Sequence, residues 1–213
     1  MAVELPLFPL GTVLFPHMPL PLHIFEERYR RMLRDCDAEG TGFGVIAIRE
    51  GHEVGSAATP YEVGTLALIR EREQLPDGRS AMLVVGASRF RVLAVRHDRP
   101  YLTGSVQYLE DRPATPDDAE PLATTLRARF RRYLSAQRAG ESARELELPD
   151  DPELLAYLVA ASLRVDVAQR QRLLEMDSTT DRLHACITLL RQEQSLVAHL
   201  LQRQEHAGSV SLN

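Results

Sequence analysis

The side chains able to do chemistry are few, and their spacing leaves them little to do. None of the seven histidines stands in a His-Glu-x-x-His or Cys-x-x-Cys pattern, the spacings that aim ligands at one metal ion. His184-Ala185-Cys186, read as helix, points its two polar side chains about 200° apart at 3.6 residues per turn, so the pair cannot share a ligand. Cys36 and Cys186 fall on apolar helix faces, where cysteine behaves as a small buried hydrophobe rather than a nucleophile. Ser88 sits in Gly86-Ala87-Ser88-Arg89-Phe90, which is not the Gly-x-Ser-x-Gly elbow that exposes a hydrolase serine. All 25 basic residues are arginine. Without a lysine amine there is no P-loop lysine, no Schiff base and no Ser–Lys dyad. No catalytic residue, metal or cofactor is expected, and a Cys–His hydrolase assembled from distant residues is the weakest alternative.

What remains is recognition. A net charge of −5 argues against broad phosphate binding, because counterion release needs an excess of cationic side chains. Arginines do cluster at Arg28, Arg30, Arg31 and Arg34, and again at Arg127, Arg129, Arg131 and Arg132. Glu26 and Glu27 lie within the first cluster, however, and aromatic residues make up only 6% of the chain, which leaves few platforms for stacking bases. Both clusters therefore read as solvated helix faces, with nucleic acid kept as an alternative partner. The stretch at 50–61 (EGHEVGSAATPY) reads as a long loop flanked by strands, the kind of segment a rigid scaffold presents. Its amphipathic side chains, His52 and Tyr61, offer contact area together with a hydrogen bond. They are the candidate partner-binding residues.

The elements that must position them divide the chain in two. Its 213 residues, 44% hydrophobic and 26% charged, fit one globular domain or two small ones and need no disulfide or metal staple. No apolar run suggests a membrane span and the opening lacks a signal peptide, so a cytoplasmic protein is expected. Up to about residue 112, short apolar runs alternate with glycine and proline. Strands are expected at 42–49, 64–70, 80–96 and 102–109, with Leu75-Pro76-Asp77-Gly78 as a tight turn and Gly86 as a bulge or sharp bend. One helix interrupts them, with Phe25, Tyr29, Met32, Leu33 and Cys36 on its apolar face, Glu26 paired to Arg30 and Glu27 to Arg31. The opening prolines hold extended backbone around Leu5, Phe8, Phe15 and Leu20, so that these side chains can plug a small barrel.

Residues 111–118, rich in proline and aspartate, read as a linker. Four helices are then expected over 117–205. The first spans about 119–137; the next begins at Asp151-Pro152-Glu153, the third at Asp166, and the last at Ser178-Thr179-Thr180-Asp181. Leu183, Ile187, Leu190, Val197 and Leu201 give the last helix one apolar face. Residues 206–213, small and polar, read as a flexible tail.

Several stretches together resemble the N-terminal, substrate-binding domain of ATP-dependent Lon proteases. They begin with Leu5-Pro6-Leu7-Phe8-Pro9-Leu10, Val13-Leu14-Phe15-Pro16 and Leu20-Pro21-Leu22-His23-Ile24-Phe25-Glu26-Glu27-Arg28-Tyr29-Arg30. Phe43-Gly44-Val45, Val63-Gly64-Thr65, Leu75-Pro76-Asp77-Gly78-Arg79 and Gly86-Ala87-Ser88-Arg89-Phe90-Arg91-Val92 continue the likeness, which returns in Leu173-Leu174-Glu175-Met176-Asp177 and beyond. It weakens only around 50–61 and in the linker. The resemblance implies an α+β fold: a PUA-like pseudo-β-barrel with one inserted helix at 1–112, then a C-terminal α-helical bundle at 117–205. It also implies the recognition part alone, without the ATPase and protease modules, a non-enzymatic binder of unfolded or exposed apolar protein segments or of a protein partner. RNA binding through the PUA-like barrel is the main alternative.

Overall fold

The computed structural model describes residues 2–51, 59–77, 79–112, 114–137 and 147–193. They form a mixed α+β protein that divides into two compact units, Met1–Arg112 with Ala160–Asp177, and Pro113–Val159 with Ser178–Asn213. Six strands belong to the first unit: β1 (Val3–Leu10), β2 (Pro19–Ile24), β3 (Phe43–Glu50), β4 (Thr59–Gln74), β5 (Ser80–Arg96) and β6 (Leu102–Tyr108). They lie in the order β2-β5-β4-β3-β1-β6, and a further β5–β6 pairing closes five of them into a ring.

The proline-rich opening is itself strand, although two prolines fall in β1, which has neighbours on both sides. Proline cannot donate to a ladder, so it belongs at sheet edges. The register resolves the conflict: Val3–Leu7 pairs with β6 and Leu7–Leu10 with β3, so Pro6 and Pro9 each meet a single neighbouring strand. Leu5, Phe8 and Phe15 are buried, the core-plugging role their spacing suggested, while Leu20 packs on the core only half-buried. Inside the ring the Phe90 ring presses on β3 and β4, and a Cβ at Gly44 or Gly64 would meet it at 2.5 and 2.7 Å. At Gly86 the crossing chain comes closer still, since a Cβ there would collide with the Phe15 carbonyl. His17 N–H donates to Gly86 O at 2.8 Å and Gly86 N–H to Met18 O at 3.0 Å. The β4–β5 register slips just beyond, between the Ala67–Gly86 and Thr65–Arg89 pairs, so the expected bulge is present.

Helix α1 (Glu27–Glu39) buries Tyr29, Met32, Leu33 and Cys36 and ends on Gly40 in the left-handed region. Two details differ from expectation. Phe25 precedes the helix and is 50% exposed, because the chain is still extended at Glu26, the N-cap. The ion pairs are also shifted: Arg28 holds Glu26, Arg30 and Arg34 hold Glu27, and Arg31 holds Asp35. Glu26 stands outside the helix as its extended N-cap, so its side chain is not held at helical spacing from Arg30.

In the second unit, α2 (Pro116–Gln137) buries Ala119, Ala123, Leu126, Phe130 and Tyr133. It begins inside the expected linker, with Pro116 as its first residue and Asp117 and Asp118 in its first turn. Helix α3 (Pro152–Ser162) starts as its sequence suggests, the Asp151 carboxylate accepting the Leu154 N–H at 2.8 Å. It crosses the division between units at 159/160 and is buried on nearly every side, as a helix apolar all round must be. Residues 179–193 are helical, with Leu183, Ile187 and Leu190 buried, and Ser178 Oγ accepts the Asp181 N–H at 3.2 Å. The remainder of that helix, including Val197 and Leu201, and the tail at 206–213 lie outside the described residues. Among the described residues no helix is long and apolar enough to cross a membrane.

Candidate functional site

One short helix positions the site. Helix α4 (Val167–Glu175), capped by Asp166, whose carboxylate accepts the Gln169 N–H at 2.6 Å, belongs with the strands of the first unit. Strand pairing places Val63 opposite Arg91 and Thr65 opposite Arg89, so pleating puts all four on one face of the β4–β5 pair. Arg89 is only 2% exposed. Its guanidinium donates to Leu174 O at 2.8 Å, at the end of α4, and is ion-paired with Asp111 and, at 3.3 Å, with Asp177. A buried arginine needs such partners, because an uncompensated charge there is costly. The clasp fixes the C-terminal turn of α4 over this face. Gln171 adds a second tie, its amide nitrogen donating to Val63 O at 2.9 Å and to Glu175 Oε1 at 2.8 Å.

Beside the end of α4 the face stays open. A hollow of about 230 Å³ is lined by Arg49, Tyr61, Glu62, Val63, Arg91 and Glu175. The walls carry both charge signs, yet few of the charges are used. Arg49 meets Glu50 only at 3.9 Å, while Arg91 and the Tyr61 hydroxyl have no hydrogen bond or ion pair among the described residues. Gln171 is 1% exposed and its Oε1 has no hydrogen-bond partner among them either. Unspent groups on a concave surface are what a polar ligand requires.

A second hollow of about 480 Å³, lined by Arg31, Asp35, Ala38, Glu39, Asp98, Arg99 and Pro100, is different in kind. The Tyr101 hydroxyl donates to Asp35 at 2.7 Å, Arg99 donates to that hydroxyl at 2.8 Å, and Arg31 donates to Asp35 at 3.0 Å. The hydrogen bond from Tyr101, with the Arg31 guanidinium, holds the Asp35 carboxyl below the ordinary aspartate range. Burial pushes the Tyr101 phenol up.

The structure brings Tyr61 to the first hollow, in β4 rather than in a loop, since strand pairing begins at Thr59. His52 lies outside the described residues. Arg49, Arg91 and Glu175 carry no motif that marks them. Gln171 does leave a trace, a polar residue at helical spacing between Val167 and Leu174. Both cysteines are free and buried, and burial raises the thiols to about 11 at Cys36 and about 12 at Cys186. At neutral pH neither is a thiolate. His184 and Cys186 do face apart, exposed and buried respectively. No group of three histidine, cysteine or acidic side chains that could hold a metal occurs among the described residues.

The family model for the ATP-dependent protease La (LON) substrate-binding domain matches residues 4–192, and the chain belongs to that family. It is 31% identical over 210 residues to a Lon protease of Lawsonia intracellularis, covering 96% of this chain and 25% of that protein. The chain thus spans about a quarter of the length of the curated relatives it matches. Among solved structures, a Lon N-terminal domain protein from Xanthomonas campestris superposes with a TM-score of 0.67 at 30% identity, covering 87% of this chain and 98% of that one. The N-terminal domain of a Mycobacterium avium complex Lon protease shares the fold, with a TM-score of 0.71 at 20% identity and coverage of 89% and 98%.

Proposed function

We propose that this chain recognises other proteins, binding unfolded or exposed apolar segments, and does no chemistry on them. The observation that carries this reading is the substrate-binding-domain family match over residues 4–192. The hollow beside Tyr61 supplies the concave surface, and the groups a nucleophile or motor would need are missing from the sequence or buried as neutral thiols. In this reading the ring of strands with α1 inserted is a PUA-like pseudo-barrel over 1–112, and the helices of 117–205, apart from α4, form a helical bundle. His52 and Tyr61 are the proposed contact residues.

The test is a titration of a fluorescently labelled, permanently unfolded protein, followed by anisotropy at low and high salt, with an unlabelled oligoribonucleotide as competitor. Segment binding predicts saturable binding that weakens little with salt and resists the competitor. RNA binding through the barrel predicts the reverse, because each neutralised phosphate releases a counterion. The arginines of α1 count against it, being already paired with acids along their own helix.

A further inference from the structure

We infer that the hollow beside Tyr61 selects a carboxylate: it takes one acidic side chain of a bound protein segment, with Arg91 as the counter-ion and the Tyr61 hydroxyl as a further donor. The inference rests on the segment-binding reading above and gives that site a chemical class.

Net charge over the hollow is balanced, but the charges are not equally available. Val63 pairs with Arg91, so the two share the face that α4 flanks, and Glu62, although it lines the hollow, makes no ion pair with either arginine there among the described residues. The remaining acid, Glu175, already accepts the Gln171 amide at 2.8 Å. Arg91 is exposed and has no ion pair or hydrogen bond among the described residues. Only two residues away on the same face, Arg89 shows what a committed arginine looks like here, with two carboxylates and a carbonyl around it. The hydrogen-bonding groups still unpaired at the hollow therefore include the whole guanidinium of Arg91 and the Tyr61 hydroxyl. Arginine's planar fork is suited to a carboxylate, which it binds through two parallel hydrogen bonds.

Size and polarity narrow the ligand further. At about 230 Å³ the hollow falls below the roughly 300–1,000 Å³ of a drug-sized pocket, so it suits one side chain rather than a folded partner. Behind it stands Gln171, buried, with its amide nitrogen tied to Val63 and Glu175 and its oxygen unpartnered among the described residues. That oxygen is enclosed and Gln171 is not part of the lining, so the contacts to a ligand fall to Arg91 and Tyr61.

The experiment uses three labelled peptides of identical apolar sequence that differ at one central position: aspartate, asparagine or lysine. Each is titrated against the full chain and against Arg91→Gln and Arg91→Glu, whose folding is checked by circular dichroism. On the parent, the aspartate peptide should bind roughly threefold to tenfold more tightly than the asparagine peptide, the scale of a partly exposed ion pair. That preference should vanish in Arg91→Gln and pass to the lysine peptide in Arg91→Glu. Equal affinity of the parent for the aspartate and asparagine peptides overturns this inference alone. If none of the peptides binds the parent, the segment-binding reading fails and this inference with it.

Discussion

The two hollows of the strand-bearing unit are built from the same residue types and differ in what those residues have left to give. In the larger one, Asp35, Tyr101, Arg99 and Arg31 are joined in a chain of hydrogen bonds of 2.7–3.0 Å. Its polarity is consumed in tying α1 to the start of β6. In the smaller one, Arg91 and Tyr61 are unpaired among the described residues while their neighbours Arg89 and Gln171 are buried and bonded. Volume alone would rank the larger hollow first. Counting spent hydrogen-bonding groups reverses the order, since a ligand gains little by displacing bonds a protein already makes.

The sharpest way to break this contrast is to strike the clasp that builds the smaller hollow. In Asp111→Ala, Arg89 stays buried with only Asp177 as counter-ion, and losing one partner of a buried pair typically costs about 3–5 kcal/mol. Chemical denaturation should show a loss of that order, and peptide affinity should fall as the end of α4 loosens. A loss below about 1 kcal/mol, the scale of a surface pair, would mean that the clasp does not hold α4.

Next in size is Tyr101→Phe, which cuts the chain of bonds in the larger hollow. Its melting temperature should fall by about 2–4 °C, the scale of one lost hydrogen bond in a chain of this length, with peptide affinity unchanged. The effect should also depend on pH. The Asp35 carboxyl titrates below its ordinary value, so its contribution is present above the unfolded-state value of about 3.9 and is lost as pH falls through the lower folded value. Parent and variant should therefore converge in melts below pH 4.

Tyr61→Ala, alone or with His52→Ala, should do the opposite of Tyr101→Phe, leaving the melting temperature within about 1 °C, as surface changes do, while weakening segment binding. Equal dissociation constants for variant and parent would remove Tyr61 from the contact surface. The smallest effect concerns the cysteines. With thiols raised to about 11 and about 12, a thiol reagent at pH 8 should label almost nothing in the folded protein and both sites once it is denatured. Rapid labelling of native protein would show that one of these helices opens.

Much of the fold is legible in the sequence, because period and capping are local signals. The bounds of β5, the caps at Asp151, Asp166 and Ser178, the turn at Asp77 and the bulge beyond Gly86 all follow from residues within a few positions of one another. Misreadings come where proline has two meanings. Pro116 reads as linker and is the first residue of α2, while Pro6 and Pro9 discourage a strand that forms because β1 changes partner at Leu7. The site is less legible. Tyr61 stands out as an amphipathic residue in the stretch where the family likeness weakens, but Arg91 and Glu175 become neighbours only when α4 returns to the β4–β5 face, held by Arg89 and Gln171 across 85 and 108 residues of chain. No local pattern encodes a contact of that separation.

The central claim is that protein segments bind at the hollow beside Tyr61. Hydrogen exchange, followed by mass spectrometry with and without a saturating unfolded protein, tests it directly. Binding there predicts new protection in peptides spanning 59–64 and 89–92 and at the end of α4, with no change around Asp35 and Tyr101. Protection confined to residues 31–39 and 98–101, or none in the strand-bearing unit while the unfolded protein remains bound, would contradict it.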